Sequence, residues 1–398
     1  MLGVIEEQHP ERARLFLQWK QMGWPLLVDS LNLLEVPVVP ITLLVDEQGR
    51  ARRAPRLRNP EAIEKAVRGV LAEEPSEEGS VEEGEPVRSG REPDALPQRA
   101  VAVPLRPEGD DAAAWRDYGR RLFLTRGPAG LDDAIASYEK ALELEAEDPG
   151  GWAHFRLGVL YRARYDSSGR REGDFQTAVD LWQAALDRDP NNYIFRRRIQ
   201  QYGPRLDKPY PFYDWVETAR SEVRARGVEP VELAVLPGGA ELADPAERGG
   251  AKAATPPAQP DPKGRILRDP GELVTVEATV VPDTARPEGP RQIHLAFRPV
   301  EPRKVHWNNE AEGLTVWLDA ADGARVTPHR TMVPNPPETL SRETRRLDFE
   351  VQSSEPARGS ERSGDEALTL SGYALYYVCE DIDGTCLYRR QDLTVEVR

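Results

Sequence analysis

Hydrophobic residues change their spacing twice along this chain. From about Asp269 to the C-terminus they alternate with polar ones, as in Val274-Val276-Ala278-Val280, Ile293-Leu295-Phe297, Leu314-Val316-Leu318, Leu347-Phe349-Val351 and Leu393-Val395-Val397. A period of two puts one apolar row on one face of a pleated strand, so these segments read as half-buried strands. Between about 105 and 232 the spacing is three to four residues, the mark of amphipathic helices. Ahead of residue 72 lie a short strand at Leu26-Leu27-Val28, a buried strand from Val38 to Asp46 closed by a Glu-Gln-Gly turn, and a helix from Asn59 to Leu71 with Asn59 as N-cap and Pro60 in its first position.

Two runs carry no period at all. Residues 73–94 are acidic and rich in Pro, Gly and Ser, and residues 236–263 mix Pro, Gly, Ala and charge. Neither holds enough large apolar residues to offset its ordering entropy, so both read as flexible tethers. The expected organisation is a first segment over 1–72, an acidic linker over 73–104, a helical module over 105–232, a second linker over 233–263 and a strand-rich module over 264–398. Seven or so strands within roughly 130 residues, separated by Pro, Gly and Asp turns, argue for an immunoglobulin-like β-sandwich in the last module.

Composition narrows the function classes. The 398 residues include 36 Pro and 31 Gly, as expected for several modules on loose connectors, and hydrophobic residues make up 39% at a mean hydropathy of −0.61. No stretch approaches the roughly 18 apolar residues of a membrane helix, so no membrane span is expected. A net charge of −15 gives no general attraction to polyphosphate, so nucleic acid is not expected as a partner. Residues 1–9 lack a basic stretch followed by an apolar one, so no secretory signal is expected in the chain as written. Two cysteines, Cys379 and Cys386, are too few for a disulfide-rich scaffold or a four-cysteine zinc site.

The helical module repeats itself. Trp115, Gly119, Ala134, Tyr138, Ala141 and Pro149 are followed by a second set at Leu157, Gly158, Tyr161, Ala178, Trp182, Ala185 and Pro190. Small residues let the two helices of a hairpin approach, aromatics fill the gap between hairpins, and the proline ends the second helix. The pattern resembles the tetratricopeptide repeat family, which implies a groove for a protein or peptide partner. Residues 191–227 read as a helix, a Pro-rich elbow and an amphipathic helix capping the stack. Arg196, Arg197 and Arg198 beside Tyr193, Phe195, Tyr210, Phe212, Tyr213 and Trp215 have the composition of a single-strand platform, but that ring spacing is expected to mean core, with solvated arginines.

In the first segment, Pro40-Ile41-Thr42 runs into an apolar strand ending Asp46-Glu47-Gln48-Gly49, with a helix after it. The order resembles the second half of a thioredoxin-like fold of the redoxin (alkyl hydroperoxide reductase and thiol-specific antioxidant) superfamily. That resemblance implies a cis proline at Pro40 that lines the substrate. Family members carry their redox cysteine on an earlier strand and helix, and here no cysteine precedes Cys379. The segment is therefore expected to be an N-terminally truncated redoxin half unable to do thiol chemistry alone. His9 and Trp24 are expected to be a surface histidine and a packed tryptophan.

The last hairpin reads GYALYYVC from Gly372 to Cys379, then EDIDGT, then Cys386 and LYRR. If residues 381–384 form a four-residue loop, Cys379 lies opposite Cys386 within disulfide reach; if Asp383-Gly384 form a two-residue turn, Cys379 faces Tyr388. The arrangement resembles the N-terminal sandwich domain of bacterial thiol:disulfide interchange proteins. By that resemblance Cys379 and Cys386 are the redox pair and Tyr377 and Tyr388 their shielding neighbours. Members of that family usually have five residues between the cysteines and a proline pair after the second; this chain has six and Arg389-Arg390. A structural bridge closing an eight-residue loop, contributing roughly 2.5 kcal/mol, a redox pair, and free or metal-bound thiols all remain open.

Five histidines stand singly, and phosphate-binding glycine loops and a GxSxG elbow are absent, so no cofactor, metal or other nucleophile is expected. The leading expectation is a thiol-disulfide oxidoreductase system, periplasmic or otherwise extracytoplasmic, in which the repeats hold a protein partner, with a thioredoxin-like redox partner. The alternative is a non-enzymatic tetratricopeptide scaffold with a structural disulfide.

Overall fold

A computed structural model describes residues 3–36, 44–45, 51–52, 61, 64–65, 67–69, 105–206, 213–238, 241, 258–286, 288–319, 324–353, 368–380 and 385–397. Helices and sheets both contribute, and the chain falls into two compact units, one of residues 1–35 with 105–398 and one of residues 36–104. In the second unit, β3 (Leu44–Val45) pairs antiparallel with β4 (Ala51–Arg52), and the described residues between 61 and 69 are helical. Pro40, the tether at 73–94 and most of the tether at 236–263 lie outside the described residues.

The first unit begins with β1 (Gly3–Ile5), α1 (Glu11–Lys20) and β2 (Leu26–Val28), the two strands parallel and joined through the helix. The helices follow. Asp111 caps α2 (Ala112–Arg126) by accepting from the Ala113 and Ala114 amides, and a tight turn leads to α3 (Leu131–Leu144). A second hairpin, α4 (Trp152–Tyr165) and α5 (Asp174–Arg188), packs on α3, and α6 (Tyr193–Gln200), capped by Asn192, packs on α5. In both hairpins a glycine sits under a ring: a Cβ at Gly119 would fall 2.9 Å from Tyr138, and one at Gly158 2.5 Å from Trp182. Tyr138, Trp182 and the alanines beside them are fully buried, as their recurrence in the sequence implies.

The last helix, α7 (Trp215–Ala225), was expected to close the stack. Its buried Val216 and Ala219 instead pack with Leu15 of α1, and Trp215 stacks on Trp19. Glu241, inside the expected tether, is 1% exposed and ion-paired with buried Arg12.

The C-terminal strands form two antiparallel sheets around one core. β5 (Val274–Pro282), β6 (Arg291–Pro299), β12 (Arg345–Ser353) and β9 (Ala324–Thr327) make one, in the order β5-β6-β12-β9. In the other, the long strand β13 (Leu368–Glu380) has β14 (Cys386–Val397) along one side; β8 (Thr315–Leu318) and β7 (Val305–Asn308) follow one another along its other side. Short strands β10 (Arg330–Met332) and β11 (Leu340–Ser341) flank β8 and β7. Ile293, Phe297, Phe349, Trp307, Val316, Tyr376 and Val395 meet between the sheets.

The outer face of the first sheet carries the helices. Val281 of β5 enters the helical core, His294 of β6 lies against Phe175 and donates from Nε2 to the Tyr202 carbonyl (2.7 Å), and Arg298 donates to the Tyr165 hydroxyl (2.9 Å). The Gln176 side chain takes both backbone groups of Val280, accepting from its amide at 2.9 Å and donating to its carbonyl at 3.3 Å.

Candidate functional site at the cysteine hairpin

Twelve consecutive cross-strand pairs join β13 to β14, and the last of them is Cys379 with Cys386. Cys379 therefore faces Cys386 rather than Tyr388, and Glu380 donates its amide to the Thr385 carbonyl (3.4 Å) just beyond. That exchange makes the neighbouring cysteine pair a non-hydrogen-bonded one, where opposed residues come closest. The Cα atoms are 4.0 Å apart and the sulfurs are bonded.

Residues two apart on a strand share a face, so Tyr377 and Cys379 on β13 and Tyr388 and Cys386 on β14 all lie on the outer side of the sheet. Tyr376 and Val378 point into the core between them. The two outer tyrosines stack at 4.2 Å between ring centroids and 17° between planes, two cross-strand pairs before the disulfide. Burial, with Tyr377 beside it, pushes the Tyr388 phenol up, so it stays neutral. The two cysteines are not equivalent: Cys379 is 3% exposed, whereas Cys386 stands exposed at the strand end.

The sequence-based candidates Cys379, Cys386, Tyr377 and Tyr388 are thus neighbours. A residue that sequence reasoning had only counted among isolated histidines joins them. His306 of β7 is the partner of Cys379 on the side away from Cys386, and it is 4% exposed. Directly opposed side chains on one face stand about 5 Å apart at Cβ, which puts an imidazole beside the buried cysteine. No local spacing in the sequence signals this, because the register of β7 against β13 is what brings position 306 to position 379.

Arg390, four residues after Cys386, is engaged elsewhere. Arg390 is held by Asp261 (3.0 Å) and Asp392 (2.7 Å) and lies over the Tyr373 ring. Its backbone accepts from the Asp269 amide and donates to the Leu267 carbonyl, docking residues 267–269 along β14. At four residues from Cys386, roughly 13 Å along a strand, this cation serves the sheet edge rather than the sulfur. Glu380, next to Cys379, is paired with Arg303 at 3.5 Å.

Away from the hairpin, two assignments reverse. His9 is buried, bonded to the Tyr202 hydroxyl at 2.8 Å, and held well below the usual histidine range by burial and by Arg162, Arg12 and Arg198 around it; Trp24 is the exposed one, at 37%. The arginine run is buried at one position and half-buried at the other two. Arg198, 2% exposed, is paired with Glu6, and Arg196 donates to the carbonyls of Pro190 and Thr284. Among the described residues no helix is long and apolar enough to cross a membrane. No family model matches the chain, and no curated protein matches it.

Proposed function

We propose that the chain carries out thiol-disulfide exchange at Cys379 and Cys386, as a multidomain protein of redoxin type working outside the bacterial cytoplasm, with two tetratricopeptide-like repeats that engage a protein partner. The observation that carries this reading is the inequality of the bridged cysteines, one exposed and one buried, at the loop end of a long hairpin. The close helix contacts at Gly119 and Gly158 support the repeat assignment, the shared core of the two sheets supports an immunoglobulin-like sandwich, and the parallel β1-α1-β2 unit supports the thioredoxin-like one.

The exchange proceeds in two steps. A thiolate of a partner dithiol attacks the accessible sulfur of Cys386, the bond between the cysteines breaks, and Cys379 leaves as the thiolate with the electron pair. The partner's second thiolate then attacks the mixed disulfide and releases Cys386. The partner is oxidised to a disulfide, and the protein takes up two electrons and two protons; the reverse sequence oxidises the protein. The stacked Tyr377 and Tyr388 rings shield the bond on one side, leaving approach from the strand end.

The burial of Cys379 also favours a second reading, in which the bridge is structural and the protein is a scaffold. Thiol alkylation followed by mass spectrometry across a graded glutathione and dithiothreitol series separates the two. A reduction potential of about −120 to −270 mV is expected for an exchanging pair; a value below about −300 mV makes the bridge structural.

A further inference from the structure

The inner side of the helical region is not empty. Arg156 of α4 donates to the backbone carbonyls of Leu31 (3.2 Å) and Asn32 (3.3 Å) and pairs with the Glu35 carboxylate at 2.9 Å. Arg198 of α6 donates to the Ser30 carbonyl (3.3 Å) and is held by Gln8 and Glu6. Between these two cations the Leu31 side chain, 1% exposed, joins the core that includes Phe155 and Phe195. The segment is folded for the fit: the Asp29 carboxylate accepts from the amides of Leu33 (2.8 Å) and Leu34 (3.3 Å), locking a turn before the chain passes into the second compact unit at residue 36.

We infer that the faces of α4 and α6 form a peptide cleft whose occupant is the chain's own residues 29–35, so that a partner enters only by displacing that segment. Three features separate this from ordinary packing. Recognition is largely of main-chain carbonyls, which any sequence presents, and a single apolar side chain supplies the anchor. The cations that make it are nearly buried, and an emptied cleft would leave Arg156 and Arg198 facing an uncovered aromatic floor, a state that ligand binding relieves. The charge is complementary as well, Arg156 against the Glu35 carboxylate at the end of the segment. The chemistry fitting the cleft is therefore an acidic turn with a central leucine, in cis or from a partner.

This inference rests on reading the repeats as a partner-binding region and is independent of the hairpin chemistry, which the thiol titration reads separately. The test uses the full chain and a fluorescently labelled synthetic peptide of residues 29–35, followed by anisotropy. Because occupancy in cis reduces apparent affinity by the fraction of open clefts, Leu31→Ser in the protein should tighten peptide binding at least about tenfold over the unmodified chain. Adding Arg156→Met to that variant should abolish the gain. Equal binding to both proteins, or none to Leu31→Ser with α4 and α6 still protected from hydrogen exchange, overturns the inference. Should Leu31→Ser lose that protection, Arg156→Met alone decides: amides of residues 29–35 are expected to exchange at least about tenfold faster while α5 stays protected, and unchanged exchange overturns it.

Discussion

The cysteine hairpin and the helical cleft are held by opposite means. In the hairpin, two adjacent strands zip over twelve pairs, and the bridged residues are 7 apart in sequence. In the cleft, Arg156 meets Leu31 across 125 residues, and behind it Arg12 meets Glu241 across 229. Local pairing costs little loop entropy and needs no charge to specify it, whereas a distant junction is selected by a few buried ion pairs that tolerate no substitute geometry. Stability in the hairpin is spread along the ladder; at the junction it hangs on single side chains.

The largest expected effect follows from that contrast. Arg12→Met removes from Glu241, 1% exposed, the nearer of its two cations, at 2.5 Å, and leaves only Arg197 at 3.9 Å, so it should lower the urea midpoint by the equivalent of about 3 kcal/mol. A loss below about 1 kcal/mol would mean the junction is as forgiving as the hairpin. Replacing both cysteines by serine comes next, at roughly 2.5 kcal/mol from the loop the bridge closes, read in the same titration. Gly158→Ala should cost about 1–3 kcal/mol, because the added methyl meets Trp182 and the Ala178 carbonyl, at 2.5 and 3.1 Å. Calorimetric melting of that variant against the parent checks it.

The smallest effect sharpens the comparison most, since the junction holds two buried titratable groups, His9 and Glu6, whose shifts run in opposite directions. His9 has its folded value depressed, so its contribution is present above about pH 6.5 and is lost as pH falls below that. Glu6, pushed up to about 7 mainly by burial, works the other way: its contribution is present below about pH 4.5 and is lost as pH rises toward 7. The two oppose each other between about pH 4.5 and 6.5. Relative to the unmodified chain, His9→Gln should make stability fall more, or rise less, with increasing pH, and Glu6→Gln should do the reverse, each by up to about 1.4 kcal/mol per pH unit. Parallel pH–stability curves for all three proteins would remove both groups from the balance.

The same contrast decides what was readable in advance. The strands, the Gly119 and Gly158 contacts and the facing cysteines are carried by spacing within short windows, and single sequences record such spacing well. Arg12, Arg198, Glu6 and Glu241 look like any solvated charges in the sequence, and nothing within ten residues of any of them marks its partner. For that reason His9 and Trp24 exchanged their expected places, α7 found α1 rather than the stack, and His306 was not connected with Cys379. Glu241 is unmarked for a related reason, being one buried glutamate in a Pro- and Gly-rich run whose composition gives no sign of it.

The Gln176 side chain, with its two bonds to Val280, has a consequence for the molecule in a crowded solution. β5 is the outermost strand of its sheet, and an outermost strand offers free amides and carbonyls to any passing chain. A glutamine from the neighbouring helix occupies one donor and one acceptor there, as a short mimic of the missing strand. The helical layer thereby acts as a guard against edge-to-edge association, blunting the template on which fibrillar aggregates grow.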